Sequence, residues 1–347
     1  MIKSVKIIGL AALVLILAGS VAVYRTLREC IYGVNLTPVN QEGTFLYISD
    51  GCSFDEVCSL LEDAGLRDVK SFRWVAGRMN YPAKVKPGRY RLTDEMSNIE
   101  LVRMLRAGRQ IPVNVIFNNI RLVTQLAGAV TRNIEADSTG VLALLTDSAY
   151  LAEHFNLTTQ NVLSLFIPNT YEFFWNTSAT GFMDRMAREH ERFWTEARRE
   201  KARDANLTPL QVTILASIIE EETQMDSEKP IMAGVYINRL NRGMLLQADP
   251  TLKFAAGDFS IRRLLNSHTK IDSPYNTYKY AGLPPGPICI PSIASIDAVL
   301  NYGKHEYLFF CAKDDLSGFH SFSRTLREHN RNAQAWQRAL NQMRIYR

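Results

Sequence analysis

Three consecutive glutamates, Glu220, Glu221 and Glu222, close the apolar segment LASIIEEET. A carboxylic acid set among apolar neighbours keeps its proton to higher pH and can donate it as a general acid. At about 100° per residue, Leu210, Val212, Ile214, Leu215, Ala216, Ile218 and Ile219 cover most of a helix and leave one strip of Thr213, Ser217, Glu220 and Gln224. That strip suits the wall of a cleft and selects Glu220 as the catalytic candidate. Desolvation, the negative end of the helix dipole and two neighbouring acids predict a raised pKa for it. Glu222 projects toward Leu215 and Ile218 as a structural partner, and Glu221 is peripheral. The competing reading leaves all three glutamates solvated or paired with arginines such as Arg239.

Two later segments concentrate polar groups. A loop is expected at Gln247 to Thr251, and SPYNTYKYAGLPPGPICIPS places Ser273, Tyr275, Asn276, Thr277 and Tyr278 before the proline-stiffened stretch Gly282 to Pro287. Aromatic and amide side chains on such loops can stack on and hydrogen-bond sugars, and they can equally be packing. Gln247, Asp249, Ser273, Tyr275 and Asn276 are the candidate glycan-binding residues. The five cysteines form no CxxC pair and the histidines no HExxH pattern, so neither a metal site nor a cofactor is expected. Cys52 and Cys58 could pair in an oxidising compartment, against the alternative of buried thiols.

The elements that hold these residues leave clear marks. Thr208, Pro209 and Gln211 start the glutamate helix with a capping threonine, an N1 proline and a capping-box glutamine. Strand, turn and capped helix are read at Phe45 to Leu66, with Ser53 and Glu56 as the box, and again at Gly88 to Gly108, with Ser97 and Glu100. A third copy begins at Pro112, where PVNVIF precedes an apolar-periodic segment from Leu122 to Val130. From Glu135 the chain turns helical, with a basic helix from Phe182 to Lys201 and a helix through the segment DSEKPIMAGVYINRL. YLFFCA and FHSFS form a hairpin, and a last helix starts at Thr325 with Glu328. Together these predict an α+β chain, mainly helical in its C-terminal part with a small β-sheet.

The first segment sets the compartment. Ile7 to Tyr24 is an uncharged apolar run with Lys3 and Lys6 before it and Arg25 and Arg28 after it. It is long enough to span a bilayer at about 1.5 Å per residue, and its small residues near Ala18 to Ala22 also admit a cleaved signal peptide. Two basic residues at each end leave the orientation open. The net charge of +5 is spread along the chain without a basic cluster in sequence, which argues against a nucleic-acid partner.

Taken together, IPNTYEFFWNTSA, LASIIEEET, INRL, GMLLQADPT, SPYNTY, GLPPGPI and HSFSRTLREHN resemble, in order, the signature segments of the endolytic murein transglycosylase family, also called YceG-like. The resemblance implies residues 1–6 as a cytoplasmic tail, 7–24 as a single transmembrane helix, 40–112 as a LysM-like α/β subdomain and 113–347 as a lysozyme-like catalytic domain. It implies an inner-membrane protein with its catalytic domain on the extracytoplasmic side, acting on peptidoglycan glycan strands. Peptidoglycan synthases or division proteins are its candidate protein partners. The family's catalytic glutamate lies in the segment matching SIIEEET, whose first glutamate is Glu220. The implied reaction cleaves the β-1,4 bond between N-acetylmuramic acid and N-acetylglucosamine, leaves 1,6-anhydromuramyl ends and could terminate glycan elongation. Two alternatives stay open: a muramidase using Asp249 or Glu172 as a second carboxylate, and a non-catalytic wall-binding scaffold.

Overall fold

The computed structural model describes residues 2–37, 44–93, 95–261 and 264–342. Within the expected ranges, residue 1 of the tail, residues 40–43 and 94 of the LysM-like stretch, and residues 262, 263 and 343–347 of the catalytic stretch lie outside the described set. The fold is α+β, with helices dominating and two-stranded sheets between them. The chain divides into two compact units. The first holds residues 1–114 with the short segments 133–135 and 172–177, and the second holds the remainder.

The first unit opens with α1 (Ile2–Tyr32), whose 31 residues correspond to about 46 Å of helix. Its stretch Gly9–Tyr32 has a mean hydropathy of 2.0 and is exposed along most of its length, while Cys30 and Ile31 near its end pack against the unit's core. By length and composition it can cross a membrane, and it runs past the apolar stretch read from the sequence. After β1 (Val34–Leu36) come β2 (Thr44–Ile48), α2 (Phe54–Asp63), α3 (Val69–Arg78), β3 (Gly88–Leu92), β4 (Met96–Ser97) and α4 (Asn98–Ala107). β2 pairs antiparallel with β3, Thr44 opposite Leu92 and Ile48 opposite Gly88, and β1 pairs with β4. The two sequence copies therefore meet through their strands. Both expected capping boxes form, and Gly108 ends α4 in the left-handed conformation. Helix α3, capped by Asp68, was not anticipated. Val57, Leu61, Phe72, Tyr81, Tyr90 and Leu101 fill this unit's core.

β5 (Val113–Phe117) follows, and then α5 (Val123–Val130), where the Gln125 side chain accepts from the Arg121 and Leu122 amides and so supplies the start signal missing from the sequence pattern. Next come α6 (Ser138–Thr146), α7 (Ser148–Phe155), β6 (Asn169–Phe173), which pairs with β5, α8 (Ala179–Phe193) and α9 (Glu196–Asp204). The single basic helix expected over 182–201 is thus two helices. Thr195 takes an extended conformation between them and its hydroxyl caps α9.

The second unit's core forms around α10 (Pro209–Glu222), on which every residue from Val212 to Ile219 is buried. Val212, Leu215, Ile218 and Ile219 pack with Trp194, Tyr236, Ile288 and Val299. Around α10 lie α11 (Lys229–Asn241), α12 (Asp249–Ala256) and α13 (Ile293–Leu300), followed by the hairpin β7 (Phe309–Ala312) with β8 (His320–Ser323) and by α14 (Leu326–Gln342). The expected loop at 247–251 is shorter than read, because Asp249 and Pro250 already start α12. None of the five cysteines is disulfide-bonded; Cys58 and Cys289 are buried, and Cys30, Cys52 and Cys311 are half-buried.

Candidate active site

The polar strip of α10 is covered along most of its length and opens only at its end, where Glu220 is half-buried and Gln224 is exposed. Thr213 and Ser217 are fully covered, and the Ser217 hydroxyl accepts the Ile288 amide at 3.0 Å while donating to the Ile214 carbonyl at 2.7 Å. One turn further on, Glu220 Oε2 accepts the hydroxyls of Ser292 at 2.6 Å and Ser295 at 2.5 Å, with the Lys229 ammonium at 3.4 Å. Ser292 is the N-cap of α13, so this carboxylate also sits at a positive helix end. Burial pushes the Glu220 carboxyl up, but the two serine hydroxyls and Lys229 outweigh it and hold the group below the ordinary carboxylate range. The raised pKa expected for Glu220 is therefore corrected. The strip is polar because it is hydrogen-bonded to the segment 288–295, and three donors favour its charged form.

Glu222 has the opposite environment. It lines a cleft of about 390 Å³ together with Arg239, Gln247, Asp249 and Tyr278, and the hairpin closes the cleft with Phe309 and Phe310. That volume is in the range of small-ligand sites. Burial pushes the Glu222 carboxyl up to about 7, helped by the Asp249 carboxylate and opposed by the Tyr236 hydrogen bond, Lys253 and Arg239. The Tyr236 hydroxyl donates to Oε1 at 2.7 Å, and no hydrogen bond among the described residues occupies Oε2. One oxygen is held and the other is available to carry a proton.

The cleft floor is built by one buried cation. Arg239, 7% exposed, donates Nε–H to the Leu308 carbonyl at 2.6 Å and Nη1–H to the Leu246 carbonyl at 2.7 Å, which ties the hairpin to the turn before α12. Gln247 on that turn has a φ of +52°, a left-handed conformation that costs a non-glycine residue roughly 1 kcal/mol. Its amide is held by the Thr277 carbonyl at 3.1 Å. Strain of this kind collects at binding sites. Asp249 accepts the Tyr278 hydroxyl at 2.5 Å. Also lining the cleft, His329 stacks on Phe309 with ring centroids 5.6 Å apart, and its Nδ1 is buried without a hydrogen-bond partner among the described residues.

The remaining candidates build the loop. Asn276 is fully buried, its Nδ2 donating to the carbonyls of Thr269 and Ile271 and its Oδ1 accepting the Tyr278 amide at 3.0 Å. Tyr275 lies in the core against Phe254, with its hydroxyl on the Gln160 carbonyl at 3.1 Å. The Ser273 hydroxyl accepts the Tyr275 amide. None of the three lines the cleft, and Asn276 holds the backbone amide of Tyr278, which does. Glu221 is paired with Arg121 at 2.7 Å, and Glu172 is exposed on β6 and does not line the cleft. Of the residues named from the sequence, the structure thus brings Gln247 and Asp249 together with Glu222, while Glu220 lies outside that cleft. Tyr236, Arg239, Tyr278 and His329 were missed as site residues, although INRL, SPYNTY and HSFSRTLREHN had drawn three of them to notice.

The comparisons with known proteins fit this architecture. The sequence profile described as the YceG-like family matches residues 46–335. The chain is 28% identical over 334 residues to the endolytic murein transglycosylase of Bacillus subtilis strain 168, covering 91% of this chain and 90% of that protein. It is 26% identical to the endolytic murein transglycosylase of Streptococcus pneumoniae strain D39, covering 95% of this chain and 65% of the longer relative. A crystal structure of a YceG-like protein from Listeria monocytogenes superimposes with a TM-score of 0.55 at 26% identity, covering 84% of this chain and 99% of that one. The chain belongs to the YceG-like family.

Proposed function

We propose that this chain is an endolytic murein transglycosylase whose acid and base is Glu222. The observation that carries the assignment is the desolvated Glu222 carboxyl, titrating near 7 in a cleft with a free oxygen. Near neutral pH such a group is present in both protonation states, which suits one that must first give and then take a proton. As the bond between muramyl C1 and the glycosidic oxygen breaks, Glu222 protonates the departing oxygen. The muramyl C6 oxygen then closes on C1, and its proton returns to the same carboxylate. The product is a 1,6-anhydro ring, and no water is consumed. Arg239 and the Tyr278–Asp249 pair orient the sugar, and Phe309 and Phe310 offer apolar faces to it. Glu220 acts through the fold, clamping α10 to the start of α13.

One observation favours a second reading. Asp249 lines the same cleft as Glu222 and raises its pKa, and two carboxylates in one cleft can also support hydrolysis. Cleavage of murein strands in heavy-oxygen water separates the two. Unlabelled anhydro ends, lost in Glu222→Gln, support the single-carboxylate route, and one heavy oxygen at each new reducing end would replace it with hydrolysis. Intact strands with either protein would leave only the scaffold reading.

The apolar α1 supports anchorage in the inner membrane, with the chain after it on the extracytoplasmic side. The strand, helix, helix, strand order of β2, α2, α3 and β3 supports a LysM-like role for the first unit, with 113–347 as the catalytic stretch. Synthases and division proteins remain the candidate partners. Protease added to spheroplasts is expected to digest residues beyond Arg28. Protection of those residues would invert the orientation.

A further inference from the structure

His320, the first residue of β8, lines the same cleft as Glu222 and takes no part in the proton transfer. Its two ring nitrogens stand in different surroundings. Nδ1 lies 2.8 Å from Glu228 Oε2, and the backbone amide of His320 donates to Glu228 Oε1 at 2.8 Å. Glu228, 5% exposed, is the N-cap residue of α11, so the pair joins the hairpin to the helix that carries Tyr236 and Arg239. A carboxylate only accepts hydrogen bonds, and a neutral imidazole carries one ring N–H. The Glu228 contact therefore places that hydrogen on Nδ1 and leaves the lone pair on Nε2.

Nε2 has no hydrogen-bond partner among the described residues, yet it is not one of the fully covered side-chain atoms that lack one. It is open, and the space that His320 lines is the cleft. Phe310 meets the imidazole edge to face at 5.6 Å, and the same ring meets Tyr236, which holds Glu222, at 5.8 Å. Joining hairpin to helix does not require this nitrogen. The backbone amide supplies Glu228 with one donor whatever the side chain, and an asparagine amide would supply the second. What histidine adds is an uncharged acceptor in a cleft whose acids are Glu222 and Asp249. Such an acceptor takes a neutral donor, and the most numerous donors on a sugar are its hydroxyls.

We propose that His320 is a substrate-binding residue, its Nε2 accepting a hydroxyl hydrogen of the glycan in the cleft, and that Glu228 is the positioning residue that fixes its tautomer. The inference rests on the murein reading above.

Three substitutions separate binding from joining. His320→Asn keeps a donor for Glu228 and removes Nε2, whereas His320→Gln carries its terminal amide to where Nε2 stands and gives up the Nδ1 contact. Glu228→Gln inverts the tautomer: the His320 amide must meet the glutamine oxygen, so the glutamine NH2 meets Nδ1 and the ring hydrogen moves to Nε2. The full chain is used in neutral detergent, with Glu222→Gln throughout so that the strand survives. Affinity for murein strands is expected to fall up to about tenfold in His320→Asn and in Glu228→Gln, the value of one net hydrogen bond, and to recover in part in His320→Gln. Nitrogen NMR of isotope-labelled histidine reads the tautomer, the His320 signal being identified among six by its loss in His320→Asn. The parent at pH 8 is expected to show Nδ1–H and an Nε2 signal that moves on adding strand, and Glu228→Gln to show Nε2–H. Unchanged affinity in a folded His320→Asn protein overturns the proposal, as does an Nε2–H or doubly protonated ring in the parent. A parent that binds no strand overturns it as well. Cleavage by the chain with Glu222 intact is scored separately. Strands that bind through Nε2 but are never cut would refute the transglycosylase reading and leave this one standing, and strands bound and cut equally with and without His320→Asn would do the reverse.

Discussion

Replacing Glu222 by glutamine should remove activity and add stability, and the size of the gain follows from its environment. The carboxyl titrates near 7 in the native state against 4.5 when free in solution. Below pH 4.5 both folded and unfolded chains hold the proton, and the group contributes nothing. Between 4.5 and 7 the unfolded chain releases its proton while the native state keeps it, so stability falls as pH rises. Above 7 the accumulated deficit is about 3 kcal/mol, from 1.36 kcal/mol per pH unit. Glutamine preserves the acceptor for Tyr236 and does not titrate. The variant should therefore match the wild type near pH 4 and exceed it by up to about 3 kcal/mol at pH 8.

Hydrogen exchange of the α10 amides between Val212 and Ile219 reads this difference inside the second unit, since every residue there is buried in its core. The protection gap between variant and wild type, corrected for intrinsic exchange, should open between pH 5 and pH 8. A gap that stays constant over that range would mean that Glu222 is solvated, and the acid assignment would fall with it. Glu220 supplies the opposite control. Its pKa is depressed, so its contribution is present above 4.5 and lost as pH falls through its folded value. Glu220→Gln should cost about 1–3 kcal/mol at pH 7, because Lys229, 5% exposed, then keeps only Asp226 as a charged partner among the described residues. That variant should retain measurable cleavage. Full activity loss in a folded Glu220→Gln protein would return the acid role to Glu220.

Tyr236→Phe removes the hydroxyl that favours the Glu222 carboxylate, so the limb of the pH–rate profile assigned to Glu222 should move upward, and a profile unchanged or moved downward would contradict the Tyr236 contact. Gln247→Gly should preserve or slightly raise stability while Gln247→Val lowers it by about 1–2 kcal/mol, as thermal melts of the two would show. At Gly286 an added Cβ would fall 1.9 Å from the Gln160 carbonyl, so Gly286→Ala should lower the melting temperature and disturb the Tyr275 anchor, and an unperturbed melt would show that this contact yields easily. No group of three or more histidine, cysteine, aspartate or glutamate side chains suited to a metal occurs among the described residues, and a chelator should leave the cleavage rate unchanged.

Much of the architecture was legible because it rests on local rules. Ser53 with Glu56, Ser97 with Glu100, and Thr208 with Pro209 and Gln211 all mark real helix starts, since each satisfies amides that a helix end leaves open. The hairpin was visible as two short runs, YLFFCA and FHSFS, on either side of KDDLSG. What escaped were features decided by partners distant in sequence. The break at Thr195 is an extended cap inside an otherwise helical pattern, and the loop around Asn276 is held by carbonyls whose positions depend on the folded chain.

The glutamates show the same limit at the scale of one turn. Residues two apart on a helix differ by about 200°, so Glu220 and Glu222 cannot look into the same space. The sequence distinguishes a polar face from an apolar one, and on that criterion the strip through Thr213, Ser217 and Glu220 is the exposed side. Polarity, however, marks a face that finds hydrogen bonds, whether from solvent, from substrate or from another part of the protein. Here Ile288, Ser292 and Ser295 supply them, and the face is covered at Thr213 and Ser217 and half-buried at Glu220. Glu222 stands at the last turn of α10, where burial raises its pKa, and its polar neighbours Arg239, Asp249 and Tyr278 reach it from segments distant in sequence. A general acid near neutrality needs few hydrogen bonds to its charged form, because each would drive its proton off, and Glu222 accepts one, from Tyr236. The residue best fitted to give up a proton is thus one whose polar partners only the folded chain brings beside it.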